Sequence, residues 1–146
     1  FVSATDHPLA RRGLLTVEDL RPYDFIAREK GAGTRAAMEK FFEDTHVEPH
    51  LKIELHSNEI IKQAVMAGLG LGFLSLHTIG LELEQNLITM LDVQGAPVVR
   101  AWNVVHTQSK MLSPAAEAFR YFMLEEGEAH LAKRFGQHWP KQPETR

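Results

Sequence analysis

Arg35 stands directly after the run Gly31-Ala32-Gly33-Thr34. The two glycines let backbone approach a ligand closely, Thr34 adds a hydroxyl, and Arg35 adds a two-pronged donor for carboxylate or phosphate. Two further places carry related chemistry. Ser57 and Asn58 follow the alternating stretch Leu51, Ile53, Leu55, and Ser75, His77 and Thr78 follow the apolar run Leu71-Gly72-Phe73-Leu74. If each stretch is a strand and each follower opens a helix, fresh N–H groups there attract anions. The plainer reading of residues 31–35 stays open beside this one: the glycines only turn the chain, and Arg35 is solvated.

Other constellations compete. Gly31, Gly33 and Ala36 fit G-x-G-x-x-G/A, and Glu54 follows ~20 residues on, as in a dinucleotide-binding fingerprint. The alternative to binding alone is therefore a nucleotide-dependent enzyme built on the Gly-rich loop at residues 31–36. Against it, the preceding strand would end in the charged run Arg28-Glu29-Lys30, and Glu54 falls short of the end of its own strand. His46, Glu48 and His50 flank Pro49 in a polar loop and read as surface residues rather than metal ligands. Ser75 lacks the G-x-S-x-G elbow of a hydrolase nucleophile. The glycines of Gly68-Leu69-Gly70-Leu71-Gly72 precede a strand, so they suit close packing better than a phosphate cradle. No catalytic residue, metal site or cofactor emerges.

The elements that must position these residues follow from periodicity. Residues 1–4 read as the end of a strand, broken by Asp6-His7-Pro8. Thr16 reads as the N-cap of a short turn carrying Glu18 and Asp19. Strands are predicted at residues 23–27, 51–55 and 71–75, alternating with helices at 34–43, 57–67 and 78–84. The first helix has Ala37, Met38, Phe41 and Phe42 on one face, and the second has Ile61, Ala64 and Val65. Gly68 suits the left-handed residue that ends the second helix. This order predicts a parallel α/β lobe at about residues 12–88. A turn is predicted at 92–97 and a long apolar strand at 98–106. Ser113-Pro114 then starts a helix whose face holds Ala115, Ala118, Phe119, Phe122 and Met123. A further short helix reaches residue 134, and a flexible tail covers 136–146.

Whole-chain properties set the frame. The 146 residues are 44% hydrophobic and 24% charged, the balance of a soluble globular domain. No apolar run approaches the ~20 residues of a membrane span. The absence of cysteine excludes thiolate chemistry and fits a cytoplasmic setting. A net charge of −3 argues against an autonomous nucleic-acid binder.

The segment from Ser57-Asn58-Glu59-Ile60-Ile61 through Gly70-Leu71-Gly72-Phe73-Leu74-Ser75 resembles the core signature of the effector domains of LysR-type transcriptional regulators. Glu29-Lys30-Gly31-Ala32-Gly33-Thr34-Arg35 is similar to the family's E-x-G-S-G-T-R loop, with Ala32 in place of the usual serine. Residues 75–83, 95–102 and 112–119 resemble the CbbR branch, which controls carbon-fixation (Calvin cycle) operons. The resemblance implies a periplasmic-binding-protein-like (type 2) α/β fold of two lobes and a role in sensing, without catalysis. It implies a small anionic effector, of phosphorylated-sugar or nucleotide type, held between the lobes by Gly33, Thr34, Arg35, Ser57, Asn58 and His77. Residues 1–11 would be a hinge strand from lobe I, 12–88 a complete lobe II, and 89–135 the return strand and C-terminal helices of a partial lobe I. DNA would be bound only through N-terminal helices that precede Phe1 in the family. The full-length protein is expected to be a homo-oligomer, dimeric or tetrameric. The apolar face of Ala115, Phe119 and Phe122 is expected to self-associate.

Overall fold

Phe25, Ile26 and Ala27 are consecutive and all buried, so the strand that carries them is covered on both faces. This strand, β2 (Asp24–Arg28), shares a sheet with β1 (Val2–Ala4), β3 (His50–Leu55), β4 (Leu71–Gly72) and β5 (Ile88–Met90), in the order β3-β2-β4-β1-β5. β2 is parallel to β3 and β4, whereas β1 is antiparallel to β4 and β5. The computed structural model describes residues 1–107, 109 and 111–135. It divides into two units, Phe1–Val98 and the part from Val99 onward.

In the first unit, helices α1 (Gly33–Asp44), α2 (Asn58–Met66) and α3 (Gly80–Glu84) follow β2, β3 and β4, as the alternating pattern predicts. Phe25 and Ala27 join Met38, Phe41 and Phe42 of α1 in one core. The Phe1 ring meets Phe25, Phe41, Phe42 and Phe73 edge-on, at centroid distances between 5.0 and 6.1 Å. Ile26 points the other way, to Val2, Ile61, Val65, Ile79 and Ile88.

The glycines around β4 act through space and backbone sign. Gly68 has φ +72, and the bonds from Gly68 N–H to Val65 and from Leu69 N–H to Ala64 close α2 as a Schellman motif. A Cβ on Gly70 would lie 2.6 Å from the Asp24 carbonyl oxygen, and one on Gly72 would lie 2.9 Å from a Val65 methyl. These glycines therefore serve close packing.

Several expectations change. β4 is shorter than predicted, and β5 is a strand that three residues of sequence could not announce; its pairing to β1 defines it. Residues 98–106 form no strand. An apolar run becomes a strand only where a neighbour completes its backbone hydrogen bonds, and none does so here. Thr16 is not an N-cap acceptor: its N–H and hydroxyl both donate to Asp19, at 2.8 and 2.6 Å. Ser57 has the extended backbone of an N-cap, but its side chain makes no capping bond. The tail from 136 lies outside the described residues.

In the second unit, the start of α4 (Pro114–Glu125) is as predicted: Pro114 opens it and Ser113 Oγ accepts the Ala116 N–H at 3.3 Å. It is followed by α5 (Gly127–Phe135), where His130 meets the Phe122 ring at 6.0 Å. Phe119 stays 63% exposed.

A buried cation joins α2 to α3. Lys62 is 6% exposed; its ammonium meets Glu82 at 2.8 Å and Glu59 at 2.7 Å, and donates to the Thr78 carbonyl at 3.1 Å. Burial disfavours the charge, but the bonds to Glu59 and Glu82 outweigh it and raise the Lys62 pKa. Burial likewise opposes the Glu82 charge, and the Lys62 bond prevails and lowers its pKa. Lys62→Met leaves a carboxylate buried alone and should cost about 3 kcal/mol, at the low end for a buried pair because Glu59 leads to solvent. Chemical denaturation checks this, and Lys62→Met/Glu82→Leu should regain most of the loss.

Candidate functional site

In an open parallel sheet, ligands bind beyond the carboxyl ends of the strands. β3, β2 and β4 are adjacent and parallel, so the segments after Arg28, Leu55 and Gly72 share one edge. The site residues expected from sequence come from these segments. Gly33 and Thr34 open α1 behind Gly31, whose φ of +93 makes the turn. Ala32, at the N-cap, offers no side-chain acceptor, and Ala36 N–H is bonded back to the Ala32 carbonyl. The opening N–H groups of α1 thus receive no cap from that residue. Ser57 and Asn58 open α2 in the same way. His77 lies in a tight 3-10 turn, Leu76–Thr78, with its Nδ1 3.5 Å from Ser75 Oγ, and burial lowers its pKa.

Arg35 is placed differently from both sequence readings. It is neither solvated nor turned outward: its side chain is 5% exposed. Nε donates to Glu39 at 2.7 Å, and Nη1 donates to the Arg28 carbonyl at 2.9 Å and to Glu54 at 3.0 Å. One guanidinium therefore ties α1 to the ends of β2 and β3. This also weakens the dinucleotide reading, because Glu54, the acid that would hold a ribose, is already engaged by Arg35.

The cation that does stand at the edge is Arg28, which sequence reasoning missed. Its Nε and Nη2 donate to the two oxygens of Glu29 at 2.7 and 2.8 Å, and Nη1 donates to Asn58 Oδ1 at 3.0 Å. The available signal was positional: Arg28 is the last residue of a strand buried on both faces, so its side chain emerges at the carboxyl edge. The third junction is seated by Lys62, whose bond to the Thr78 carbonyl holds the 76–78 turn against α2.

Other clusters are committed elsewhere. His50 Nδ1 lies 2.6 Å from Asp24, which also pairs with Lys52. Among the described residues no three His, Asp or Glu side chains gather as a metal site requires, and no helix is long and apolar enough to cross a membrane.

The LysR substrate binding domain family model matches residues 1–128. The HTH-type transcriptional regulator CfxR of Cupriavidus necator is 46% identical over 136 residues, covering 93% of this chain and 43% of its own length. The HTH-type transcriptional regulator CbbR of Rhodospirillum rubrum is 48% identical over 123 residues, covering 84% of this chain and 41% of its own length. The chain thus spans about two fifths of these relatives. Both are transcriptional regulators, so the enzyme alternative finds no support in them. Among solved structures, the regulatory domain of Synechocystis PCC6803 CcmR in complex with 2-PG superposes with a TM-score of 0.77 at 36% identity, covering 84% of this chain and 59% of that one. The effector binding domain of QuiR in complex with shikimate gives a TM-score of 0.68 at 20% identity, covering 88% and 60%, and shows shared fold alone. The fold is that of LysR effector domains, α/β and periplasmic-binding-protein-like of type 2.

Two outcomes follow from the ion pairs. Arg35→Ala should cost about 1–3 kcal/mol in chemical denaturation, because the Arg28 carbonyl loses its donor while Glu39 and Glu54 can turn to water. Arg35→Lys should restore only part, since a single ammonium lacks the planar fork by which Nε reaches Glu39 while Nη1 reaches the Arg28 carbonyl and Glu54. The hydrogen bonds from Arg28 hold the Glu29 carboxyl at about 2, against an ordinary 4.5. A depressed carboxyl pKa gives stability that is complete above the ordinary value and is lost as pH falls through the depressed one. The difference in urea midpoint between wild type and Glu29→Gln should therefore be constant near neutrality and close as pH falls from about 4.5 to about 2. A gap that persists at the acid end refutes the assignment.

Proposed function

Because the chain belongs to the LysR substrate-binding domain family, we propose that it is the sensing part of a transcription regulator of carbon-fixation genes, and that a small anionic metabolite binds at the carboxyl edge of β2, β3 and β4. The observation that carries this reading is the Arg28 guanidinium, set at that edge beside the opening of α2 by its bond to Asn58. A fork donor beside opening helix N–H groups is matched to an oxyanion. The relatives include a RuBisCO operon transcriptional regulator from Allochromatium vinosum, and the CcmR domain was solved with 2-PG. Both favour a phosphorylated metabolite as the class to test.

In this reading Gly33 and Thr34 offer backbone and hydroxyl donors, Ser57 and Asn58 complete the second junction, and His77 borders the third. Arg35 acts by positioning Arg28. Residues 1–11 are a hinge strand leading into lobe II at 12–88, and 89–135 lead out to lobe I. DNA contact and assembly into dimers or tetramers belong to the longer protein, where effector binding shifts the population of oligomer geometries. No chemical step is involved.

Calorimetric titration of the chain with 2-PG tests the site. Arg28→Ala should weaken binding about 10- to 100-fold, the scale of one or two charge-assisted hydrogen bonds. An unchanged affinity in that variant removes the edge from consideration.

A further inference from the structure

We propose that Glu29 is an internal occupant of the anion site: its carboxylate fills the Arg28 fork that an effector's oxyanion must take, and so it sets which anions can enter. This rests on the reading of the β2–β3–β4 edge as the effector site. The two bonds, Nε to Oε2 at 2.7 Å and Nη2 to Oε1 at 2.8 Å, form the fork-to-fork pairing that arginine makes with a bound carboxylate or phosphate. Nη1 is taken by Asn58 at 3.0 Å, so each of the three guanidinium nitrogens has a partner in the free chain. Glu29's own backbone is pinned by its N–H bond to the Leu55 carbonyl, at 3.2 Å. Its side chain, at 25% exposed, has a way out to solvent. Glu29 can release the fork by turning its side chain alone, without moving the sheet.

The electrostatic consequence is selectivity. With Glu29 seated, Arg28 presents no net positive charge to an arriving ligand. A monoanion that displaces Glu29 exchanges one carboxylate contact for another and gains little. A dianion brings a second charge to the opening turns of α1 and α2, where helix N–H groups favour it. Glu29 therefore excludes simple carboxylates and admits phosphate-bearing ligands. The low pKa of its carboxyl, about 2, agrees with a contact that must be displaced rather than one that lapses near neutrality.

The test titrates the whole chain with inorganic phosphate and with acetate, in wild type, Glu29→Gln, Glu29→Asp and Arg28→Ala. Glu29→Gln should bind phosphate about tenfold tighter and gain more than that for acetate, so that the preference for phosphate shrinks. Glu29→Asp, which keeps the charge but is too short to hold both bonds, should lie between wild type and Glu29→Gln, and it serves as a second reading if the amide variant folds poorly. Unchanged or weaker phosphate binding in both Glu29 variants, with Arg28→Ala still impaired, overturns the role of Glu29 and leaves the site standing. Absence of anion binding in every form overturns both.

Discussion

One guanidinium holds the carboxyl edge of the sheet together. Arg35 rises from the first turn of α1 and spends its donors on Glu39 of its own helix, on the backbone of β2 at Arg28, and on Glu54 of β3. Strand ends are places where backbone pairing stops and side chains must supply order. Arg35 supplies it where β2 hands over to the Gly31 turn. The carbonyl it grips belongs to Arg28, so the backbone that aims the outward cation is fixed by the inward one.

Lys62 repeats the arrangement one junction away. It ties α2 to the turn at Leu76–Thr78 and to Glu82 of α3. A buried ion pair adds little net stability over an apolar pair of equal size. What it adds is geometry, since an ammonium with three acceptors tolerates few arrangements. The two buried cations thus set the stiffness of two of the three junctions, while Arg28, only partly buried, is left able to exchange partners.

The sequence was informative where one local pattern decided the outcome. The alternation of strands and helices, the left-handed Gly68 and the Ser113-Pro114 start are all local, and the fold shows them. The family signature in residues 57–75 carried the identity. Tertiary choices were not legible. Nothing near residue 35 says that its partner is Glu54 rather than solvent, because that depends on the β2–β3 register. β5 exists because β1 lies beside it, and residues 98–106 are no strand despite their apolar content, because pairing and not composition makes a ladder. Arg28 was visible only as a charge that spoiled a nucleotide fingerprint, although the last residue of a doubly buried strand is well placed to meet a ligand.

The reversed strand β1 has a consequence for how the chain comes to be folded. Val2 precedes every other strand of this unit in the chain, yet its partners are Gly72 of β4 and Met90 of β5. During synthesis β2, α1, β3 and α2 can assemble from near neighbours while β1 waits with its apolar residues unpaired. The pairing that closes the sheet spans most of this unit and carries the largest loop-closure entropy in it. Sheet closure is thus the slow, late event of its folding, and the ribosome must deliver β5 before the first strand can rest.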